Sequence, residues 1–309
     1  TPSGRCATAA PSTTMCCAAS SGSSNSRRSE WRHDRAGYPP RVRNEGWGEV
    51  DRSTKPQSYI DYLRGVSALD SVQEFKRKSL ELMGVRPGDT VLDVGCGAGD
   101  EVVALARMVG ESGHAVGVDM SETMVAEGRR RAADAGVRAD FRVGDAQTLP
   151  FEDRSFDAVR IERTLQHLPD PDRALRELRR VCRPGRRVVA LDPDWSSLVI
   201  DSEDEEMTRR LIRVHASHVA HGQMGRELWR RFGDAGFEDR VVECVIAHST
   251  SFAVADAVLG LRETVDEAVR DGAIDPVSGD HWLDGLRAAD ESGRFFAALS
   301  GFIVGGRAP

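Results

Sequence analysis

The sequence contains no apolar run long enough to cross a membrane and no set of cysteines or histidines at the spacing of a metal site. A membrane-spanning helix needs about 20 consecutive apolar residues, and the apolar runs here have the length of single strands. The 309 residues include only six cysteines, three in the N-terminal tail and three in or beside predicted elements: Cys6, Cys16, Cys17, Cys96, Cys182 and Cys244. We therefore expect no membrane span, no metal and a reducing, cytoplasmic compartment.

An excess of basic residues is also missing, since 42 Lys and Arg stand against 49 Asp and Glu, for a net charge of -7. A nucleic-acid-binding domain normally shows a basic face. The basic runs Arg129–Arg131 and Arg209–Arg210 lie among acidic residues, which is typical of solvated helix surfaces. We expect no nucleic-acid partner. The length and the 40% hydrophobic content suit one large core, or one domain with a cap.

Acidic residues are absent from the first 29 positions, which are rich in Ser, Ala and Thr and carry no apolar signal-peptide core. This composition predicts a disordered extension over residues 1–30. An organellar transit segment has a similar composition and remains the alternative. Pro39 and Pro40 interrupt regular structure in the next part. From Gln57 the apolar residues follow helical spacing, so residues 31–85 are expected to form an N-terminal helical region.

The most informative segment is residues 91–100, VLDVGCGAGD, in which an apolar strand leads into three alternating glycines and then a helical pattern. Glycine lets the backbone turn sharply and approach a ligand, while the amides of the next helix point into the same space. A dinucleotide motif would place its third glycine where Asp100 stands. The run therefore favours another nucleotide-type cofactor, with an unliganded turn as the alternative.

Two further strands are predicted to end in acids. Residues 114–120 end on Asp119 and Met120, and residues 141–146 contain Asp145 and Ala146. In doubly wound sheets a carboxylate at the first of these positions accepts hydrogen bonds from ribose hydroxyls. The alternatives are a helix cap for Asp119, although Ser121 is the better cap, and a turn residue for Asp145.

Two more units complete the series. Residues 155–163, SFDAVRIER, precede TLQHLPD, and residues 181–187, VCRPGRR, form a turn into VVALD. Together with the glycine run, these four ordered segments resemble the motifs of class I S-adenosylmethionine-dependent methyltransferases. The resemblance implies that Gly95, Cys96 and Gly97 line the methionine and ribose part of S-adenosylmethionine, that Asp119 binds the ribose, and that Asp145 and the Ala146 amide bind the adenine.

Strands that alternate with helices of about 10 to 15 residues predict an α/β doubly wound, Rossmann-like sheet. The resemblance implies seven strands over residues 86–309, with the last two antiparallel as a hairpin. It further implies that an N-terminal helix covers the cofactor as a lid, with Tyr59 or Tyr62 toward the sulfonium; packing of both tyrosines on the core is the alternative. The full set of expected cofactor-binding residues is Gly95, Cys96, Gly97, Gly99, Asp119, Met120, Asp145, Ala146, Glu162, Arg163 and Tyr59.

Two helical insertions are predicted at about 200–235 and 252–290, on either side of the sixth strand. They are expected to form a cap over the carboxyl edge of the sheet. Four aromatic residues would supply its apolar surface, either as core or as substrate contacts: Trp195, Trp229, Phe232 and Trp282.

The cofactor carries an electrophilic methyl group, so the protein mainly orients the reactants and excludes water. If the acceptor is a hydroxyl, His167 is the candidate catalytic base from its place after the fourth strand, with a packing role as the alternative. His215, His218 and His221 recur every third residue, but no carboxylate or cysteine set accompanies them at metal-ligand spacing.

The sequence thus predicts a methyltransferase acting on an O, N or C nucleophile of a small molecule, of the secondary-metabolite or quinone-like kind. The resemblance is to the broad family of ubiquinone/menaquinone-biosynthesis and natural-product enzymes, and a homo-oligomer is compatible with it. The segment Glu162–Leu165 lacks the Asn/Asp-Pro-Pro-Tyr motif of amino-directed nucleic-acid methylation. Two alternatives stay open: a relative that uses the cofactor pocket for other chemistry such as cyclisation, and a non-catalytic cofactor-binding partner protein.

Overall fold

A computed structural model describes residues 44–67 and 69–309. The extension predicted over residues 1–30 and the segment up to residue 43 lie outside the described residues. These described residues contain eight strands: β1 Thr90–Val94, β2 His114–Asp119, β3 Ala139–Val143, β4 Phe156–Glu162, β5 Cys182–Pro193, β6 Val199–Ile200, β7 Glu238–Ser249 and β8 Ala297–Arg307. The same ranges contain ten α-helices: α1 Pro56–Ser67, α2 Asp70–Met83, α3 Asp100–Val109, α4 Glu122–Asp134, α5 Pro171–Val181, α6 Glu205–Ser217, α7 Met224–Asp234, α8 Phe252–Leu259, α9 Leu261–Arg270 and α10 Pro276–Glu291.

The strands form one sheet in the order β3-β2-β1-β4-β5-β8-β6, with β7 paired to β8. The first five strands are parallel, whereas β8 runs antiparallel to both β5 and β7. Val91, Leu92 and Val94 of β1 are fully buried, as expected of a central parallel strand covered on both faces. The doubly wound α/β fold predicted from the sequence is confirmed.

Three details of the sheet differ from the prediction. The sheet has eight strands, because the two-residue β6 pairs with the start of β8. The last two long strands are antiparallel but are not a hairpin, since three helices separate them. The turn expected at 181–187 is largely part of β5, because the amide of Gly185 bonds to the Ala308 carbonyl at 2.7 Å and extends the pairing with the chain end.

Helix α7 packs on the sheet, not in the cap. Met224, Leu228 and Phe232 are fully buried in the cluster that covers one sheet face. The placement of Phe232 in a cap was therefore wrong. Trp229, on the outer side of the same helix, is 43% exposed and has the Arg240 guanidinium over its ring.

The cap consists of α6 and α8–α10 and has its own apolar cluster, which includes Trp195 and Trp282. The indole nitrogen of Trp282 donates to the Thr208 hydroxyl at 2.8 Å. His218 lies 2.9 Å from a Glu267 oxygen and 2.8 Å from an Asp271 oxygen, which ties α6 to α9. No helix among the described residues is both long and apolar enough to cross a membrane.

The N-terminal segment, residues 44–67, lies over the carboxyl edge of the sheet. Its apolar residues form a cluster with Ala98 and Met124, which flank the predicted cofactor turn. Asp51 anchors it to the start of α4 by accepting bonds from the Ser121 hydroxyl and the amides of Glu122 and Thr123, at 2.7, 2.8 and 3.0 Å. Burial alone would raise the pKa of Asp51, but these bonds outweigh it and lower the pKa to about 2.

Candidate active site

A cavity of about 440 Å³ lies between the carboxyl edge of the sheet and the N-terminal segment. In doubly wound sheets this edge is where ligands bind. Ten of the predicted cofactor and catalytic residues line it: Gly95, Cys96, Gly97, Asp119, Met120, Asp145, Ala146, Glu162, Arg163 and His167. Gly99 and Tyr59 do not.

The glycine turn after β1 leaves no room for a side chain at Gly95. Gly95 has φ +68°, and a Cβ at this position would overlap the Thr164 hydroxyl. The amides of Gly95 and Cys96 both bond to the Val118 carbonyl, at 2.7 and 3.0 Å, which fixes the turn against β2. Burial raises the pKa of the Cys96 thiol well above its ordinary value, so a neutral thiol faces the cavity.

Gly99 has a different role from the one predicted. It precedes α3 with φ +84°, and a Cβ there would lie 2.7 Å from the Phe141 ring. Its lack of a side chain therefore permits close packing of the turn on β3, while the cavity wall is made by the earlier glycines.

The two acids that follow β2 and β3 both line the cavity. Asp119 accepts bonds from the amides of Gly97 and Ser121, at 2.8 and 3.0 Å, so it joins the glycine turn to the start of α4. Burial raises the pKa of Asp119, and these amide bonds oppose the shift. Ser121 is the α4 cap, as expected, and Asp145 accepts from the Gln147 amide at 2.8 Å.

One part of the cavity wall, which we call the charged end, is formed by buried ion pairs. Lys76 lies 2.6 Å from Glu101, and the guanidinium of Arg160 lies 3.0 Å from Asp93 and also bonds to Glu162. All five residues line the cavity. Arg163, also on the wall, lies 3.8 Å from Glu162 and adds a third cation to the three carboxylates. The charged end is therefore charge-balanced when all its groups are ionised.

Burial and pairing pull the carboxyl groups of the charged end in opposite directions. Burial raises the pKa of Asp93 to about 6, and the attraction of Arg160 offsets only part of that rise. Burial alone would also raise the pKa of Glu101, but the charges of Lys76 and Arg160 outweigh it and lower the value.

Sequence reasoning missed Lys76, Asp93 and Arg160 as site residues. The available signal was a charged residue inside each of two otherwise apolar strands, VLDV and AVRI. A charge in a buried strand is stable only with a partner, so each of these residues predicts an ion pair that the fold must supply.

Another part of the wall, which we call the aromatic end, is lined by Trp47, Tyr62, Leu63, His167 and Trp195. The ring centroids of Trp47 and Tyr62 are 5.8 Å apart, and those of Trp47 and His167 are 6.5 Å apart. The Tyr62 hydroxyl donates to the Val258 carbonyl of α8 at 3.2 Å.

The structure places Tyr62, not Tyr59, on the cavity wall. Tyr59 is buried behind it, with its ring at 5.3 Å and nearly perpendicular to that of Trp47. Of the two tyrosines considered from the sequence, the packing role therefore falls to Tyr59 and the ligand-facing position to Tyr62.

His167 lies in a short 3₁₀ turn after β4 whose neighbours are tightly held. The Trp195 indole donates to the side-chain oxygen of Gln166 at 2.6 Å, and the His221 amide donates to the Gln166 carbonyl at 3.0 Å. Arg163 enters this turn with φ +48°, a strained value for a residue other than glycine. The turn is thus fixed by β5 and the cap, and it presents His167 to the cavity.

Asp192 ends β5 behind this turn and is fully buried. Burial raises its pKa well above the ordinary value. Asp192 does not line the cavity. Among the described residues that do, His167 is the one histidine. Among the described residues, no group of three or more His, Cys, Asp or Glu side chains is arranged to hold a metal ion.

Comparison with known proteins identifies the family. A methyltransferase-domain family model matches residues 86–236. The chain is 39% identical over 258 residues to an uncharacterized 37.1 kDa protein in transposon TN4556 of Streptomyces fradiae, covering 83% of this chain and 73% of that protein. The chain belongs to the class I S-adenosylmethionine-dependent methyltransferases.

Two methyltransferases with a named activity are similar to this chain over part of their length. Demethylmenaquinone methyltransferase of Bacillus cytotoxicus is 34% identical over 140 residues, which are 45% of this chain and 59% of that enzyme. The chain thus covers less than two thirds of this curated relative. Phosphoethanolamine N-methyltransferase 2 of Haemonchus contortus, in complex with S-adenosyl-L-methionine, aligns with a TM-score of 0.54 at 18% identity, covering 87% of this chain and 61% of that one. This structure shows the shared fold.

The cavity residues of this methyltransferase fit the family's cofactor, S-adenosylmethionine. The turn brings Gly95 and Gly97 to the cavity wall without side chains, and acids follow the two strands beside it. The charged end offers both signs of charge to a ligand that carries an amino group and a carboxylate.

Proposed function

We propose that this methyltransferase transfers a methyl group to an O, N or C nucleophile of a small, cyclic, largely apolar molecule of the quinone or secondary-metabolite kind. The observation that carries the proposal is that one cavity has both a charged group and an aromatic group on its wall, the charged end and the aromatic end. A charged end suits the amino-acid portion of the cofactor, and an aromatic end suits a flat acceptor. The similarity to demethylmenaquinone methyltransferase over 140 residues supports a quinone-like acceptor.

In this proposal the cofactor is held by residues on three strand ends. The turn at Gly95 and Gly97 lies against its ribose and methionine, Asp119 accepts from the ribose hydroxyls, and Asp145 with the Ala146 amide binds the adenine. When bound, S-adenosylmethionine supplies an electrophilic methyl group. The protein residues then orient the acceptor against that group and keep water out.

His167 is the proposed base for an acceptor that must lose a proton. It lies at the aromatic end, between the Trp47 ring and the turn at Gln166. An imidazole titrates near neutral pH, so it can take the proton of a hydroxyl as the new bond forms.

The N-terminal segment is the proposed lid. Residues 47–63 supply one wall of the cavity, and Asp51 holds them to α4. We propose that this segment opens to admit the cofactor and the acceptor. A cytoplasmic setting completes the proposal, because the described cysteines, Cys96, Cys182 and Cys244, form no disulfide.

Calorimetric titration with S-adenosylmethionine and S-adenosylhomocysteine tests the cofactor site. Asp119→Ala should weaken both affinities by about 10- to 100-fold, the range for losing a hydrogen bond to a charged group. Asp140→Ala is the matched control, since Asp140 is an exposed acid on β3 away from the cavity and should bind like the parent. Unchanged binding by Asp119→Ala, in a variant that unfolds at the parent temperature, would disprove the assignment.

Methyl-labelled cofactor incubated with the protein and a metabolite extract tests the acceptor. We expect label in a ring-containing, apolar compound, and label confined to a strongly charged or polymeric fraction would contradict the proposal. Once an acceptor is known, His167→Ala should lower turnover at neutral pH by about 10²- to 10⁴-fold and abolish the acidic limb of the pH profile. The same profile in parent and variant would remove His167 from the base role.

A further inference from the structure

Strand β7 has an open edge along most of its length. It pairs with β8 from Glu238 to Ser249, and no other described strand pairs with its opposite side. The only irregularity lies between Glu238 and Val241, where Asp239 has φ +44°, so the rest of the strand is regular. Proteins usually blunt a long edge with proline, a central bulge or lysine, because its unpaired amides and carbonyls are a template for another strand. Residues 241–249 contain none of these.

One face of this edge strand is apolar and exposed. Val242, Cys244 and Ile246 alternate along β7 and therefore share a face. Val242 is 46% exposed and Ile246 is 63% exposed, and Cys244 is also exposed. Val242 lies opposite Val304 of β8, and Val304 packs in the same apolar cluster as helix α7. Trp229 of α7 therefore borders the face of β7 that carries Val242. We call Trp229, Val242, Cys244 and Ile246 the β7 patch.

The order of side chains along β7 is complementary to itself. An antiparallel pairing of two copies about Cys244 places Val242 opposite Ile246 of the partner subunit, and Val241 opposite Ala247 of the partner subunit. Glu243 then lies opposite Val245 of the partner subunit, so no acid faces an acid. Branched apolar pairs across strands stabilise a sheet, whereas like charges directly opposite destabilise it. A two-fold axis is also the commonest symmetry of soluble oligomers.

We propose that this protein forms a two-fold dimer in which the β7 strands of two copies pair antiparallel about Cys244. The sheet then continues from one subunit into the other, and the β7 patches of the two subunits meet side by side on one face of it. The cavity lies at the carboxyl edge of β1 and β2, at a distance of several strands along the sheet. The interface therefore leaves the cofactor site intact, and the inference does not depend on the proposed function.

Sedimentation velocity of the full chain between about 1 and 100 µM tests the dimer. We expect a dimer whose dissociation constant rises at least tenfold in Val242→Lys and in Ile246→Lys. The matched control is Val199→Lys, which changes a valine of similar exposure, 55%, in β6 and should leave the dimer unchanged. Thermal unfolding and cofactor titration of each variant show whether the fold is kept.

Cross-linking with a short bis-maleimide, which adds one thiol at each end, tests the register. Peptide mapping should find Cys244 joined to Cys244, and Cys244→Ser should remove that product. A chain that stays monomeric over the whole range, as it would if residues 1–43 occupied the edge, overturns the proposal. A dimer unaffected by Ile246→Lys, or cross-links through the tail cysteines alone, overturns it as well.

Discussion

Replacing Arg160 by methionine should lower the free energy of unfolding by about 3–5 kcal/mol, the cost of removing one partner from a buried ion pair. Arg160 is almost fully buried, and its guanidinium donates to the Ser79 hydroxyl at 3.1 Å, to Asp93 at 3.0 Å and to Glu162. Methionine fills a similar length without charge. The variant therefore leaves two buried carboxyl groups that have lost their shared cation.

The loss of unfolding free energy in Arg160→Met should depend on pH, and the pKa of Asp93 determines in which direction. Burial already raises that pKa to about 6 despite the attraction of Arg160, and removal of the guanidinium raises it further. An acid whose pKa is higher in the folded than in the unfolded state stabilises the fold at low pH and loses that contribution as pH rises through the folded value. The deficit of Arg160→Met should thus be largest above pH 7 and smaller near pH 5.

Differential scanning calorimetry at pH 8 and pH 5.5 measures both effects. A change of about 3–5 kcal/mol corresponds to a lowering of the melting temperature by roughly 6–20 °C for a domain of about this size. Arg209→Met is the control, because Arg209 lies on the exposed side of α6 and makes only a surface pair with Glu205 at 3.3 Å; its cost should be below about 1 kcal/mol. Equal melting temperatures for the two variants at pH 8, or a deficit that grows as pH falls, would refute the reasoning.

Three further changes test other parts of the molecule. Gly95→Ala should weaken S-adenosylhomocysteine binding by at least tenfold in calorimetry, because the added Cβ collides with Thr164 at a backbone angle that favours glycine; parent affinity would contradict this. Asp51→Ala should speed amide exchange in residues 44–67 through loss of capping bonds of about 0.5–2 kcal/mol, with the helices of the cap as internal control. Burial alone would lower the pKa of His218, but the carboxylates of Asp271 and Glu267 outweigh it and raise the pKa. The protonated imidazole therefore stabilises the fold at low pH, and this contribution is lost as the pH rises through the pKa of His218 in the folded state. His218→Gln should remove that part of the pH dependence of the melting temperature, and identical pH dependence in parent and variant would exclude it.

The sheet and the glycine turn could be predicted because both are local in sequence. A glycine run after an apolar strand, and an acid at the end of the next strand, each occupy fewer than ten consecutive residues, and the structure brings Gly95, Gly97, Asp119 and Asp145 to one cavity. The parallel arrangement then follows from the alternation of strands and helices.

The charged end could not be assembled from the sequence, because its members come from four separate elements. Lys76 lies on α2, Asp93 on β1, Glu101 on α3 and Arg160 on β4. Each is a single charge in an apolar or mixed segment, and only the fold shows which cation meets which carboxylate. The short strand β6 could not be predicted either, because two residues are too few to show the alternating pattern of a strand.

Tyr59 and Tyr62 illustrate a second limit: the spacing of residues in a helix does not show which of two neighbours on one side faces a cavity. Three residues apart, they lie on the same side of α1, and both are buried. Trp47 decides between them, because its ring packs edge-on against Tyr59 and leaves Tyr62 to reach the cavity. That contact crosses from one segment to another, so spacing within the helix does not reveal it.

The two ends of the cavity differ in how they are held, and this difference supports the proposed division between cofactor and acceptor. The charged end is made by strands and buried ion pairs whose rearrangement would expose unpaired charge, so it is rigid and suits a constant ligand. The aromatic end is made by Trp47 and Tyr62 on a segment that Asp51 anchors, together with Trp195 from the cap. Substitutions there disturb no buried charge. Changes in acceptor preference should therefore arise at the aromatic end while cofactor affinity stays constant.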